Sequence, residues 1–376
     1  MNFVNKNNVF FCILKTMTLL IAYFVSLPIQ AYTIGIIVGK TQTKTSTSNH
    51  EKICILKSLA KKVANENLTF VFVKNDRTAI GSMKAAQKLI DERIDLALLP
   101  LVSHEAQAAA TVFREYNIPF VTTATSIEVI KSSDNALSIM SSNQNQAFIL
   151  ARYYLENYKG KSLHVMVNLS KRYSITLSKE FIRNVTMLYP DANIMEHKFT
   201  KTKINNIVSK IKPGDVVFAP LYNPNIALLY MAFAEKEKKG ITIIGPDSIG
   251  GRKEFYHIIK SHSNLVDLRF LKNWDGVVKG VNKNNVTSYV KAYCSGKKNT
   301  FLTTYSYDLL NFVLDRIDKL SSNSTAKDTI SILKESKYQS VMDGGVLVFN
   351  EGKYNRKPMY MYQVTENGNK LIEVIN

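Results

Sequence analysis

"DLALLPLVSHEAQAAATVFREYNIPFV", Asp95 to Val121, reads as strand, helix, strand. Asp95–Leu99 and Ile118–Val121 are near-continuous apolar runs too short for helices, and Glu105–Glu115 between them reads as a helix. Strands buried on both faces look like this, because a parallel sheet is covered by helices above and below, whereas a half-exposed strand alternates. The same unit extends outward. Upstream, "TIGIIV" (Thr33–Val38) predicts a strand and His50–Asn65 a helix with Ile53, Leu56, Ala60 and Val63 on one face. Leu68–Val73 follows as a strand, and after Asp76 a helix sets Ala79, Met83, Ala86 and Ile90 at helical spacing.

Downstream the pattern restarts. Strands are predicted at Leu163–Val167, Ile194–Lys198, Asp215–Phe218 and Ile241–Ile244, with helices at Thr176–Leu188, Lys203–Ile211 and Asn225–Lys238 between them. Alternating strands and amphipathic helices in two series imply two doubly wound parallel α/β sheets with a cleft between them. Beyond Arg269 the chain changes character. Helices at Val286–Ala292, Tyr305–Leu320 and Asp328–Ser336 lead to a short strand between turns at Gly344-Gly345 and Glu351-Gly352, then to a hairpin turning at Asn367-Gly368. This tail is expected to complete the two sheets, not to form a third domain.

The chain has 376 residues, 45% of them hydrophobic, which is enough for two cores. Residues 1–31 have the layout of a secretory signal peptide. Lys6 and Lys15 come first with no acid, "TMTLLIAYFVSL" is short for a membrane span, Pro28 breaks the helix, and Ala31 is small enough for cleavage. A soluble protein outside the cytoplasm follows. Once Cys12 is removed, Cys54 and Cys294 remain, either paired in an oxidising compartment or free as buried thiols. The formal charge of +19 invites a nucleic-acid reading. The lysines are scattered, without a basic helix or an array of aromatics and arginines, so no nucleic-acid partner is expected.

Several site motifs fail on spacing. Gly35, Gly39, Lys40 and Thr41 leave three residues between the glycines where a phosphate loop needs four. His104-Glu105 opens like a zinc-protease helix, but position 108 is Ala. No serine lies in the strained turn that exposes a hydrolase nucleophile. No metal, cofactor or catalytic residue is expected.

The loops at strand ends remain, where open α/β sheets bind ligands. "LLPLVSHEA" puts Ser103 at a helix start, and "VTTATSIEV" puts Thr125 and Ser126 at another, with Thr125-Ser-Ile-Glu128 fitting a capping box. Unpaired first-turn N–H groups and the positive end of the dipole can hold a carboxylate. In the second series, Tyr173, Tyr222 and Asp247 follow successive strands, and an acid facing a cleft suits a cationic ligand group.

In these stretches the chain resembles the type I periplasmic solute-binding proteins of the leucine/isoleucine/valine-binding class. The likeness runs through "LIDERIDLALLP", "IPFVTTAT", "LYNPNIALLYMAFAEKEKKGITIIGPDSI", "TTYSYDLLNFVLDRI" and "DGGVLVFNEGKY". It implies two lobes joined by a three-stranded hinge, residues 32–141 with 271–345 and residues 142–270 with 346–376, closing over a ligand. It also implies that Ser103, Ala124 and Ser126 hold the α-carboxylate, that Asp247 takes the α-ammonium, and that Tyr173 and Tyr222 close over the ligand. The function implied is not enzymatic. An exported periplasmic protein would capture an amino acid or similar zwitterion and deliver it to an ABC permease; the alternative is a ligand-sensing subunit of a receptor or regulator. Four departures bear on the side-chain pocket more than on the head-group site: no glycine from Lys40 to His50, a short segment between the first helix and the second strand without the usual Gly-rich turn, Pro100 where the family usually has Gly, and Asp247 in place of a Glu.

Overall fold

Short runs of Val, Ile, Leu and Phe form the centres of two sheets. In the first, β1 (Tyr32–Gly39), β2 (Leu68–Asn75), β3 (Leu96–Leu99), β4 (Phe120–Thr122) and β5 (Ala136–Ser138) are all parallel in the order β2-β1-β3-β4-β5. In the second, β6 (Leu163–Val167), β7 (Ile194–Lys198), β8 (Val216–Phe218), β9 (Thr242–Gly245) and β10 (Asp267–Lys272) run parallel. The hairpin β11 (Met359–Thr365) and β12 (Gly368–Ile375) adds antiparallel to give the order β12-β11-β10-β9-β8-β6-β7. The two doubly wound α/β sheets expected from the sequence are therefore present. The computed structural model describes residues 31–40, 47–131, 133–236, 238–249, 253–259, 262, 266–273, 283–294, 301–341, 345–349, 352, 354–355, 358–366 and 368–375. Nearly all of the proposed signal peptide lies outside the described residues, as do Gly344, Glu351 and Asn367 of the proposed turns. No helix among the described residues is long and apolar enough to cross a membrane.

Each sheet is covered on both faces. On the first, helices α1 (Thr47–Val63), α2 (Ala79–Asp91) and α3 (Ser103–Glu115) follow β1, β2 and β3. One face packs Leu89 of α2 and Phe113 of α3 on Ile37, Ala97 and Leu99. The other packs Ile55 and Leu59 of α1 on Ile34, Ile36 and Leu98. Three late helices, α9 (Lys283–Tyr293), α10 (Phe301–Leu314) and α11 (Ala326–Lys334), join that second face through Val290, Leu309 and Leu333. Cys54 of α1 and Cys294, just after α9, form a disulfide, so of the two states open in the sequence the paired one is found.

On the second sheet, α4 (Asn143–Tyr158) and α5 (Arg172–Leu188) pack Leu150, Tyr154 and Phe181 on Val165, Phe218 and Ile244. Helices α6 (Ile204–Lys210), α7 (Asn225–Glu235) and α8 (Lys253–Ile259) cover the other face through Ile207, Phe233 and Phe255. Full burial of one such side chain is worth about 1.5–3 kcal/mol, so these four layers hold the sheets flat against their helices.

The capping box at Thr125–Glu128 is not formed. The chain makes a single 3-10 turn, Ile127–Val129, and its N-cap Ser126 makes no side-chain capping bond. Other partners claim the loop. Ala124 N–H donates to Thr122 Oγ1 at 3.0 Å, Asn143 N–H to the Thr125 carbonyl at 2.7 Å, and the Tyr354 hydroxyl to the Ser126 carbonyl at 2.7 Å. These bonds fix the loop to Thr122, Asn143 and Tyr354 on its way to β5, which pairs beside β4. The region read as a short strand near Val346 is an isolated bridge to Gln339 among the described residues.

Candidate functional site

Strand order fixes where ligand loops meet. In the first sheet the direction of winding reverses between β1 and β3, and in the second between β6 and β8. Crevices open at such switch points, at the carboxyl ends of the strands. Ser103 follows β3, Tyr173 follows β6 and Tyr222 follows β8. All three line one cavity of about 80 Å³.

The wall from the first sheet is built by two strand-end loops. After β3, the Pro100 carbonyl accepts a hydrogen bond from the buried Lys52 ammonium at 3.0 Å, which fixes the turn into α3. The N-cap of α3 is Val102, which has no side-chain acceptor to offer. The first-turn N–H groups of α3 therefore lack a side-chain cap at the point where Val102 and Ser103 line the cavity. After β4, Thr122 Oγ1 donates to the Leu99 carbonyl at 3.0 Å and Thr123 N–H donates to the same carbonyl at 3.2 Å. Ser138 Oγ donates to the Ala124 carbonyl at 2.8 Å. These bonds hold Thr123, Ala124 and Thr125 along the cavity wall.

The opposite wall carries the charge. Gly245 ends β9 and Pro246 leads to Asp247, whose carboxylate lines the cavity. Tyr173 donates to Asp247 Oδ1 at 2.7 Å, while Gln146 Nε2 and Asn273 Nδ2 donate to Oδ2 at 3.1 and 2.8 Å. Burial, followed by the Asp247 carboxylate and Tyr222, pushes the Tyr173 phenol well above its ordinary range, so it stays protonated as the donor. Tyr173 and Tyr222 stack with ring centroids 4.8 Å apart. Leu302 and Tyr305 of α10 close the chamber on the side of the first sheet. At the second residue of α3, burial pushes the His104 imidazole below its usual value, and the nearby Lys171 and Arg77 charges act the same way against Glu105.

Five of the six residues singled out in the sequence, Ser103, Ala124, Tyr173, Tyr222 and Asp247, line this one cavity. Ser126 does not. It is buried beneath the wall, where its hydroxyl accepts from Asn143 Nδ2 at 3.2 Å. Tyr173 lies in the first turn of α5, because that helix starts at Arg172, four residues before the sequence pattern suggests. The sequence reading missed Gln146 and Asn273, fully buried amides that hold Asp247, the one acid among the described residues lining the cavity. Gln146 has a faint signal as a polar residue on the inward face of α4 beside Ala147 and Leu150; Asn273, directly after the charged strand β10, has none. Tyr305 has none, since an aromatic in a helix reads as core.

A sequence profile described as periplasmic binding protein matches residues 55–369. No curated protein matches the chain by sequence. Among solved structures, the chain is similar to the leucine-binding protein LivK from Thermotoga maritima at 20% identity, covering 92% of this chain and 99% of that one, with a TM-score of 0.79. It is similar to a solute-binding protein of an ABC transporter from R. palustris in complex with 4-hydroxybenzoate at 16% identity, covering 92% and 97%, with a TM-score of 0.77. LivJ, a branched-chain amino acid transporter substrate-binding protein from Streptococcus pneumoniae in complex with isoleucine, is 15% identical, covers 92% and 99%, and has a TM-score of 0.71. At these identities the likeness shows the fold alone.

Proposed function

The chain belongs to the periplasmic binding protein family, and from that membership we propose that it captures a small zwitterion between its two lobes for an ABC importer. Membership makes it a binding protein and not a catalyst. Residues 1–31 supply the export signal in this reading, and the mature chain works in the periplasm beside an inner-membrane permease. One observation carries the proposal: the uncapped start of α3 with Ser103 and the carboxylate of Asp247 line the same cavity from opposite sheets. A ligand with an anionic and a cationic end spans that gap, whereas a simple anion meets Asp247 and a simple cation meets the helix dipole. The cavity limits size. At roughly 10–15 Å³ per water-sized group, about 80 Å³ holds on the order of five to eight such groups, a small amino acid or its relative.

The test is calorimetry with small amino acids on the wild-type protein and on Asp247→Asn. A charge-assisted contact contributes about 1.5–3 kcal/mol, so the variant is expected to lose roughly tenfold to a hundredfold in affinity. Unchanged affinity would refute the role of Asp247. A second reading has its own support. The Tyr173–Tyr222 stack also suits an aromatic carboxylate, and a structural neighbour holds 4-hydroxybenzoate. In that case Asp247→Asn tightens binding of 4-hydroxybenzoate, since it removes a like charge.

A further inference from the structure

Asp247 is the acid of the cavity, yet most of its hydrogen-bonding capacity is already used. A carboxylate has about four acceptor positions, and the Tyr173 hydroxyl, Gln146 Nε2 and Asn273 Nδ2 fill three of them at 2.7, 3.1 and 2.8 Å. Two of those donors are fixed. Gln146 and Asn273 are buried, and Gln146 Oε1 also accepts from Asp247 N–H at 3.4 Å, so the amide clamps the acid from both sides. A primary ammonium would bring three N–H donors to an acid with at most about one acceptor position left. Beyond that position, each further N–H turned to the acid would displace a protein donor and leave that buried amide or phenol without a partner. A fully methylated ammonium brings no donors at all. It needs a negative field and polarisable surface, which Asp247 supplies together with Tyr173, Tyr222 and Tyr305 around the same chamber. Aromatic faces with a nearby acid are the general solution for quaternary ammonium groups.

We propose that the cognate ligand is a small carboxylate bearing an N-methylated, preferentially quaternary, ammonium group, with the carboxylate at the start of α3 and the methylated nitrogen against Asp247 and the tyrosines. The proposal rests on the zwitterion reading above and narrows it. In size, N,N,N-trimethylglycine is within the range that the cavity admits.

The experiment is calorimetry of the purified exported protein against glycine, N-methylglycine, N,N-dimethylglycine and N,N,N-trimethylglycine, with 4-hydroxybenzoate in parallel. Affinity is expected to rise along the series, the last member binding at least about tenfold more tightly than glycine. Glycine binding as tightly as trimethylglycine, or more so, overturns this inference and leaves the zwitterion reading intact. Binding of 4-hydroxybenzoate with none of the glycine series overturns both, and no binding by any of the series counts against the inference. Three variants whose folding is checked by melting temperature give independent readouts. Tyr222→Phe is expected to keep trimethylglycine affinity while Tyr222→Leu loses about tenfold, because the ring and not the hydroxyl makes the contact. Tyr173→Phe frees an acceptor position on Asp247 and is expected to narrow the gap between glycine and trimethylglycine. A gap that stays the same in Tyr173→Phe contradicts the argument from acceptor capacity.

Discussion

His164 and His197 meet nitrogen to nitrogen, with Nδ1 and Nε2 2.8 Å apart, and His164 Nε2 lies 3.1 Å from Asp215 Oδ2. Only one of the two facing nitrogens can carry a proton, so a second positive charge breaks the bond. Burial, then His164 on β6 and Lys210 on α6, push His197 below its ordinary 6.5. A histidine whose folded value is depressed binds its proton more readily in the unfolded chain. Its contribution to stability is complete above about pH 6.5 and is lost as pH falls through the lower folded value. Melting temperature is therefore expected to drop with acidification over that window, and His197→Gln to flatten the drop; an identical profile would contradict the linkage. Asp308 shows the same logic without titration. It is fully buried on α10 and accepts from the Tyr338 hydroxyl at 2.6 Å, Ser340 Oγ at 2.6 Å and Val341 N–H at 2.9 Å. Asp308→Ala orphans three donors and is expected to cost about 2–4 kcal/mol in denaturant unfolding. At this scale the site was partly legible. Ser103, Tyr173, Tyr222 and Asp247 stand just past apolar strands, where position in the chain implies position in a cleft. Gln146 and Asn273 meet Asp247 only through tertiary folding, 101 and 26 residues away in sequence, and no local pattern announces such a pairing.

Elements were legible where an apolar run and its helix are long enough to show a period. β1, β3 and the helices after them read directly, since a short apolar run such as Leu96–Leu99, bounded by Asp95 and Pro100, fits a strand buried on both faces. β5 has three residues and depends on β4 for its place, and α4 was passed over because its apolar residues spread round the helix. β10 is hidden by Asp267, Arg269 and Lys272: the first two pair with each other while partly exposed, Lys272 is buried over the Tyr362 ring, and Leu268, Phe270 and Leu271 are buried between them. Two predictions belong here. The Cys54–Cys294 disulfide closes a sequence separation of 240 residues and ties α1 to the end of α9. Cys54→Ser with Cys294→Ser is expected to cost about 2–4 kcal/mol of stability in chemical denaturation, with ligand affinity unchanged because neither cysteine lines the cavity. Gly245 sets the turn that carries Asp247. A Cβ there would overlap Cδ1 of the buried Ile249, so Gly245→Ala must displace Ile249 or the turn. Such overpacking costs about 1–3 kcal/mol, and calorimetry is expected to show weaker ligand binding along with a lower melting temperature.

At the scale of the molecule, the question is what joins ligand capture to the arrangement of the two lobes. A ligand shifts a conformational equilibrium only by its differential affinity for the two states, so the contacts that bridge the sheets matter more than those within either one. Two bridges differ in kind. Arg172 of α5 and Glu128 of the first sheet's loop lie 3.9 Å apart, with the arginine half exposed. An exposed pair of this sort is worth about 0–1 kcal/mol, so Arg172→Ala is expected to alter affinity by no more than about fivefold. Asn273 is buried at the end of β10. Its Nδ2 donates to Asp247 at 2.8 Å and its Oδ1 accepts from Ser141 N–H at 3.3 Å, just past β5 where the chain leaves the first sheet. One amide thus ties the ligand's acid to a crossing between the lobes. Loss of two buried hydrogen bonds at about 1 kcal/mol each, with Ser141 N–H left unpaired, makes Asn273→Ala the more damaging change by far. Its affinity for the cognate ligand is expected to fall by more than about tenfold, against the small effect of Arg172→Ala. Calorimetry on the two variants side by side decides the matter: equal losses would mean that the buried amide couples the lobes no more strongly than the surface ion pair.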